Sequence, residues 1–517
     1  MCAAPVLVTA IRRGVYQDSV NLMVLSSQLE QVPAVSSAAV MMGTPANKDL
    51  FDQAGLLGDE LRDANPNDLC IAVCATSDAA GAAALEIVDA FLTRGGSSQH
   101  RVDGTRAPRT LASARRRLPD ANLALISVPG QYAAREARRA LSDGLHVLLF
   151  SDNVPFDEEV ALKRLAAERG LLLMGADCGT AIVGGVPLGF ANQVPRGSVG
   201  LVGASGTGLQ EVSCLLARWG VGVSHVLGTG SHDLHAAIGG STTSMAIEAL
   251  VIDARTRVVV WVSKPGDPAT TAPILERAVD QANSTPIVAV LLGLDDVADW
   301  QARFPSVHFE DTLEAAALCA ARWVGERPSS PSDDLASVTE RAARLRPDQR
   351  RLRGLFAGGT LAAEAARIVA GCLRLPDCAQ TTVGALLDDD GHRIVDYGDD
   401  AYTLGRAHPM IDCRLRSQAI REAVEQDRVG ILLLDVILGH GAHPDPAGAL
   451  APAVETAARV ARERGDDLVT IASVVGTDQD PQRYSAQVER LRAAGAIVAR
   501  SNAQAARYAA AALGTYR

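Results

Sequence analysis

Along this chain, strand-length apolar runs alternate with stretches of helical periodicity. Val6–Ala10 is a short apolar run, Val20, Met23, Leu25 and Leu29 fall at helical spacing within 16–29, and Ala38–Met42 is a second run. A helix from Ala46, a strand at Cys70–Cys74 and an Ala-rich helix over 79–92 complete a first small α/β unit, residues 1–105. Gly95–Pro108, rich in Gly, Ser and Arg, reads as a linker.

From residue 106 to 197 the pattern is strand, helix, strand, helix, strand: Leu123–Val128, Tyr132–Leu141, His146–Phe150, Phe156–Gly170 and Leu171–Met174. Such an open parallel sheet places ligands at the carboxyl ends of its strands. A further α/β unit spans 198–325, and a charged, Pro/Ser-rich stretch at 326–351 reads as a linker. The last unit, 352–517, repeats the theme with long apolar strands at Val429–Leu438 and Leu468–Val475. The fold class expected is α/β, with several parallel-sheet domains of the Rossmann or flavodoxin type.

At 517 residues the chain calls for about three or four domains. A hydrophobic share of 48% fills their cores, and 4% aromatic residues leaves Ala, Val, Leu and Gly to pack the layers. The net charge of −11 excludes a phosphate-backbone binder, so no nucleic-acid partner is expected. No apolar stretch has membrane-spanning length and the amino terminus carries no signal-like pattern; a soluble, cytoplasmic protein without a membrane partner is expected. Nine scattered cysteines without a CxxC pair read as reduced thiols, and no metal site is expected.

Chemistry concentrates in glycine turns. The strand Val199–Val202 runs into Gly203, Ser205, Gly206, Thr207 and Gly208 before a helix starts, which makes an anion cradle of backbone N–H groups and hydroxyls. It lacks the Gly-Lys-Ser/Thr of a P-loop, and plain turn geometry is the competing reading. Gly358, Gly359 and Thr360 form a second strand–turn–helix cradle. Asp435 lies inside an apolar strand, with Gly439, His440, Gly441 and His443 at its carboxyl end and Asp445 placed to cap the next helix. A buried strand aspartate needs partners, either as a site residue or through a structural bond. The polar stretch 396–412 offers Arg406 as a carboxylate or phosphate grip, unless it is a solvated loop. His232 and His235 follow Gly228-Thr229-Gly230 as general bases or metal ligands, although three apart on a loop with one Asp is no specific metal pattern, or as plain loop histidines beside a ligand cleft.

The segments Met41-Met-Gly-Thr-Pro-Ala-Asn-Lys48, Leu118–Ser127, Phe150-Ser-Asp-Asn-Val154, Met174-Gly-Ala-Asp-Cys-Gly-Thr180, Gly203–Gly208, Gly405-Arg-Ala-His-Pro-Met-Ile-Asp412 and Leu434–Gly439 with His443-Pro-Asp-Pro446 resemble the FdrA family over nearly the whole chain. That family is similar to acyl-CoA synthetases of the succinyl-CoA synthetase type. The resemblance implies fused α-subunit-like CoA-binding and ligase domains and a β-subunit-like ligase domain. In the synthetases phosphate sits between two helix amino ends, which carries over to Ser205-Gly206-Thr207 and Gly439-His440-Gly441-Ala442. The turn holding Asp177 and Cys178 corresponds to the loop beside CoA. Where the synthetase has its phosphorylated histidine, this chain reads Leu291-Leu-Gly-Leu-Asp-Asp-Val-Ala-Asp299, with no histidine.

The resemblance implies a carbamoyltransferase subunit in allantoin breakdown, converting oxalurate and phosphate to oxamate and carbamoyl phosphate. Asp435, His440, His443 and Arg406 would be its catalytic residues, and phosphate or carbamoyl phosphate its ligand. It further implies a small anionic substrate and partner subunits or a homo-oligomer. An acid–CoA ligase or transferase binding CoA, and a non-catalytic scaffold subunit, are the alternatives.

Overall fold

The structure is a computed structural model that describes residues 6–15, 17, 19–30, 32–98, 108, 110–264, 266–282, 285–328, 334–375, 384–403, 407–426 and 429–514. The chain divides into two compact units, Met1–Asn122 with Tyr402–Asp412, and Leu123–Ala401 with Cys413–Arg517.

The first unit is built from β1 (Val6–Arg12), α1 (Ser19–Glu30), β2 (Val35–Met42), α2 (Pro45–Gln53), α3 (Asp59–Arg62), β3 (Leu69–Ala75), α4 (Asp78–Ser98) and α5 (Leu111–Arg117). Its antiparallel sheet runs β1-β3-β2, with the apolar β3 in the centre. Leu22, Leu25 and Leu29 of α1 and Val88 of α4 pack onto Val40, Ile71 and Val73 of the sheet. Helix α4 runs six residues past the expected end at Leu92, through Gly95 and Gly96. An interior glycine costs only about 1 kcal/mol, too little to end a helix of 21 residues.

The second unit opens with β4 (Leu123–Ile126), α6 (Gly130–Ser142), β5 (His146–Leu149), α7 (Phe156–Glu168) and β6 (Leu173–Met174), a three-stranded parallel sheet. A hairpin, β7 (Thr180–Val183) and β8 (Val186–Gly189), follows. Next come β9 (Arg196–Gly203), α8 (Gly206–Arg218), β10 (Val223–Gly228), α9 (Ser241–Ile252), β11 (Val258–Ser263), α10 (Pro268–Gln281), β12 (Ile287–Leu291), α11 (Val297–Arg303), β13 (Val307–Phe309) and α12 (Leu313–Trp323). Their sheet takes in the hairpin, in the order β13-β12-β11-β9-β10-β7-β8. So it starts at residue 180, ahead of the boundary expected at 198: β7 covers an edge of β10 that would otherwise expose unpaired N–H and C=O groups.

Inside the stretch read as a linker, α13 (Leu335–Ala342) is helical and buries Val338 and Ala342. The last elements are β14 (Arg351–Phe356), α14 (Gly359–Leu373), β15 (Ala385–Asp389), β16 (His392–Asp396), α15 (Asp400–Thr403), α16 (Arg414–Gln426), β17 (Val429–Ile437), α17 (Pro446–Glu463), β18 (Val469–Val475), α18 (Tyr484–Ala493), β19 (Ile497–Ala499) and α19 (Asn502–Ala512). The sheet order is β15-β16-β14-β17-β18-β19, with every residue of β17 buried. Apart from antiparallel edge strands, both large sheets are parallel with order 2-1-3-4-5, the doubly wound arrangement.

Reciprocal hydrogen bonds join these two halves. Each first helix begins Gly-Thr and carries Glu at the sixth position, Gly206…Glu211 in α8 and Gly359…Glu364 in α14. Glu211 accepts the Asn502 N–H (2.9 Å) at the start of α19, and Glu364 accepts the Leu313 N–H (2.7 Å) at the start of α12. Each carboxylate thus satisfies a helix-end N–H of the other half. The local N-caps Ser501 and Thr312 take the next free donors, from Gln504 and Ala315. Asn502 Nδ2 also donates to Glu364 (2.7 Å) and to Leu361 O (2.8 Å). Burial pushes both glutamic acids up to about 7 from 4.5.

A carboxyl with a raised folded pKa keeps its proton where the unfolded chain has lost it. Its contribution to stability therefore falls as pH rises from about 4.5 to about 7 and is level above that. Urea unfolding of the wild type should show this slope. Glu211→Gln, which keeps the acceptor for Asn502, should flatten it. Glu364→Ala should cost about 1–3 kcal/mol for the unpaired Leu313 and Asn502 donors. A stability that climbs over that window would contradict the account.

Candidate functional site

The amino ends of α8 and α14 face each other. Ser205, N-cap of α8, accepts from Gly208 N (3.1 Å), and its hydroxyl lies 2.6 Å from the Thr360 hydroxyl in the first turn of α14. The approach is tight around glycines on both sides. A Cβ at Gly208 would collide with Ser205 Oγ, and one at Gly358 would sit 3.1 Å from Thr207 Cβ. Gly206, Thr207 and Gly359 remain half-exposed at this junction. The first N–H groups of both helices, which have no intrahelical acceptor, therefore lie close together at one junction with positive helix-end potential.

Two side chains that the sequence reading missed flank the opening. Lys264 is exposed at the carboxyl end of β11, next to the strand that feeds α8. A cation at the end of a parallel strand was the available signal. Asp396 ends β16 so close to α14 that a Cβ at Gly359 would collide with its carboxylate. Burial pushes Asp396 up to about 7, against the Gly398 N–H that it accepts (2.8 Å); Asp435 adds to the rise and the Lys264 charge opposes it.

Asp435 proves to be a clamp. It accepts N–H groups from Ala357 and Gly358, both at 2.8 Å, and pairs with the buried Arg416 at 2.9 Å. Arg416 also donates to Leu355 O (2.9 Å) and Asp435 O (2.6 Å). With its oxygens spent on the Gly358 turn, Asp435 holds the α14 cradle in place instead of meeting a ligand.

The turn of Gly439 and Gly441 is not a helix amino end. Helix α17 starts at Pro446 with its own cap, Asp445, which accepts from Gly448 N (3.1 Å). Gly439 exchanges hydrogen bonds with the Gln482 side chain (3.1 and 2.9 Å), and His440 N donates to Ala191 O (2.9 Å). Asn192 ties this turn to α8: it donates to Leu438 O (3.0 Å) and accepts from Gln210 (3.0 Å). The helix opposite α8 is therefore α14, a correction that follows from the like order of the two sheets, which sets first helix against first helix. The His440 side chain is exposed, and His443 spends Nδ1 on the Asp445 N–H (3.0 Å).

Asp177 is exposed, with a positive φ of 52°, and its carboxylate bonds the Ser231 hydroxyl. Cys178 beside it is buried, and burial pushes its thiol up to about 12, so it is no thiolate nucleophile. Thr180 closes the turn against α8: a Cβ at Gly206 would lie 3.1 Å from its hydroxyl oxygen. Arg406 lies outside the described residues. His408 organises a local turn, its Nδ1 accepting from Met410 N at 3.2 Å.

Residues 6–108 match the family described as AllF, heavy metal-associated domain, and residues 355–512 match the CoA-ligase family. The uncharacterized protein YahF of Escherichia coli (strain K12) is 38% identical over 95% of this chain and 96% of its own length. The α subunit of ADP-forming succinate–CoA ligase from Aquifex aeolicus (strain VF5) is 28% identical over 34% of this chain and 57% of its own. Among solved structures, the dinucleotide-forming acetyl-coenzyme A synthetase 1 of Ca. Korarchaeum cryptofilum aligns over 80% of this chain and 86% of its own, at 15% identity and a TM-score of 0.30.

Among the described residues no three His, Cys, Asp or Glu side chains cluster, and burial pushes the Cys70 thiol up to about 11, away from the thiolate a metal requires. No described helix is long and apolar enough to cross a membrane.

Two outcomes test the electrostatics. Arg416→Ala leaves Asp435 buried without its cation and should cost about 3–5 kcal/mol in urea unfolding. Asp396 gains its charge as pH rises through about 7, so sulfate, whose own charge is constant there, should bind more weakly at pH 8 than at pH 6. Calorimetry on Asp396→Asn should show this pH dependence removed.

Proposed function

This chain belongs to the family of the Escherichia coli protein YahF and carries a CoA-ligase-like domain, and on that premise we propose that it transfers an acyl group between phosphate and a second acceptor. The observation that carries the reading is the pair of helix amino ends at Gly206-Thr207 and Gly359-Thr360 with Lys264 beside them. An acyl phosphate needs donors for its phosphoryl oxygens and a place for phosphate to leave. Preorganised N–H groups, hydroxyls and one ammonium supply both, at no reorganisation cost during the reaction. The Asp435–Arg416 pair keeps the α14 turn in its donor geometry, and Asn192 and Gln210 keep α8 in register with the Gly439 turn.

The resemblance to FdrA proteins makes the acyl group a carbamoyl: oxalurate and phosphate would give oxamate and carbamoyl phosphate, with partner subunits completing the site. The CoA-ligase match and the succinate–CoA ligase relative favour CoA as the acceptor instead. Asp177 and Thr180 then lie on the turn beside the thiol end.

Calorimetry with phosphate, carbamoyl phosphate and CoA separates these readings. Phosphate and carbamoyl phosphate should bind the wild type. Lys264→Ala should weaken both about tenfold, the value of roughly 1.4 kcal/mol for one charge-assisted contact. Gly206→Asp, which puts a carboxylate at the helix end, should abolish binding. Carbamoyl phosphate formed from oxalurate and phosphate, by the chain with the proteins encoded beside it, selects the carbamoyl form. CoA binding without that activity selects the CoA form, and a chain that binds none of the three has no such site.

A further inference from the structure

A histidine gripped by a buried carboxylate stands at the Asp177 end of the turn that closes against α8. His232 Nδ1 is 2.9 Å from Glu159 Oε2. Glu159, on α7, is wholly buried, and its other oxygen accepts the Ala176 N–H at 3.2 Å. A carboxylate that already accepts at one oxygen is served by a donor at the other, so Nδ1 carries the proton and Nε2 is left as the basic nitrogen. The His232 side chain is 52% exposed, with Phe156 edge-on against it at 5.6 Å between ring centres, so the ring is fixed on one side and open on the other.

The loop that presents this ring is rigid. Asp233, next in the chain and wholly buried, accepts from Lys163 (2.9 Å), Thr242 N (3.2 Å), Thr243 N (2.8 Å) and the Thr243 hydroxyl (2.7 Å). Lys163 also donates to Thr229 O at 2.7 Å and to the Thr242 hydroxyl at 2.9 Å. Ser231, on the other side of His232, bonds the Asp177 carboxylate. From Asp177 to Thr180, which touches the α8 cradle, the chain reaches at most about 10 Å. An imidazole held in one tautomer, on a loop bonded through Ser231 to the turn that ends at the cradle, has the parts of a general base: a proton acceptor, an orienting carboxylate and an anchored loop.

We propose that His232 is a catalytic base, with Glu159 its positioning residue, and that the group it deprotonates is a thiol of the CoA class. This rests on the acyl-phosphate reading above, in its CoA form. In the carbamoyl form the attacking phosphate is already an oxyanion and the proton is needed at the leaving amide nitrogen, a task for an acid. A thiol, with a pKa of about 8.5, arrives protonated at neutral pH and needs a base. In the step, the S–H proton passes to His232 Nε2, sulfur bonds the acyl carbon, and the carbon–oxygen bond to phosphate breaks. Phosphate leaves onto the α8 and α14 helix ends, and the imidazolium returns its proton to water.

The experiment follows loss of free CoA thiol with acetyl phosphate or carbamoyl phosphate as donor, using the full chain with the proteins encoded beside it. Phosphate binding is measured in parallel by calorimetry. His232→Asn should bind phosphate as the wild type does and transfer about 10²-fold more slowly. Imidazole in the buffer should restore part of the rate to His232→Ala. Glu159→Gln should lower kcat about tenfold with KM unchanged and shift the acidic limb of the pH–rate profile, which a merely structural glutamate would not do. A wild type that binds no phosphate overturns the acyl-phosphate reading. A wild type that binds phosphate but leaves the thiol untouched, or a His232→Asn variant that transfers at the wild-type rate, overturns the assignment of the base.

Discussion

Two buried glutamates set the geometry on which the rest of the second unit depends. Glu211 and Glu364 each leave one half to cap the last helix of the other, and Asn502 links both of them. Apolar contact alone would let two helical faces slide, because hydrophobic burial has no direction. A carboxylate bonded to one backbone N–H in a dry interface fixes position to within a few tenths of an ångström, since the unpaired alternative costs about 1–3 kcal/mol per group. Each glutamate stands five residues after the glycine that opens its helix, roughly 7.5 Å along the axis. Locking the glutamates therefore also places the two helix openings against each other. The Ser205–Thr360 contact is the near end of the same alignment.

Much of this architecture was legible in the chain because its signals are local. Apolar runs bounded by glycine turns marked β9, β14, β17 and β18 within a few residues of their ends, and the turn after Gly203 was located, although α8 begins at Gly206, three residues ahead of the start expected near Leu209. Asp445 capping α17 also followed from its place before Pro446. The repeated Gly-Thr-x-x-x-Glu was present in the sequence as well, though nothing local says that its glutamates cross over: Asn502 and Glu211 are 291 residues apart. The same distance in sequence hid the roles of Asp435 and the Gly439 turn. Asp435 does sit at a strand's carboxyl end, but its partners Ala357, Gly358 and Arg416 come from elements that only the sheet order makes neighbours. The strand β17 feeds a turn that resembles a cradle by composition, yet the helix after it is delayed to Pro446 and capped by its own aspartate.

The polar side chains in this unit divide by what their burial demands. Lys163 with Asp233, and Arg416 with Asp435, are buried ion pairs in which each charge has a partner and further hydrogen bonds. Such pairs add little net stability compared with apolar substitutes, but they specify position, because breaking one strands a charge. Both are placed beside turns whose conformation matters: one anchors the loop of His232, the other the turn of Gly358. The groups at the opening itself, Lys264, Thr207, Gly206 and Gly359, are by contrast half-exposed or exposed. Rigid buried charges behind and solvated donors in front are what a site for a small anion requires, since the ligand must displace water from the front without moving the back.

The same logic explains how a chain with a net charge of −11 would hold the anion proposed for it. Long-range attraction is of the wrong sign, so binding must come from short-range donors whose potential outweighs the background. Two helix ends and Lys264 supply that potential, and the acidic groups nearest to them are each restrained. Asp435 is paired with Arg416, and burial raises Asp396 to about 7, so that it is part protonated at neutral pH. His232 extends the arrangement from holding charge to moving a proton. Its carboxylate partner is buried on α7 and its loop is pinned by Lys163, which hold the ring from behind. On the proposed reading, a cradle that receives a leaving anion and a base that accepts a proton are the two ends of one transfer, and the Asp177–Thr180 turn is the piece of chain that links them.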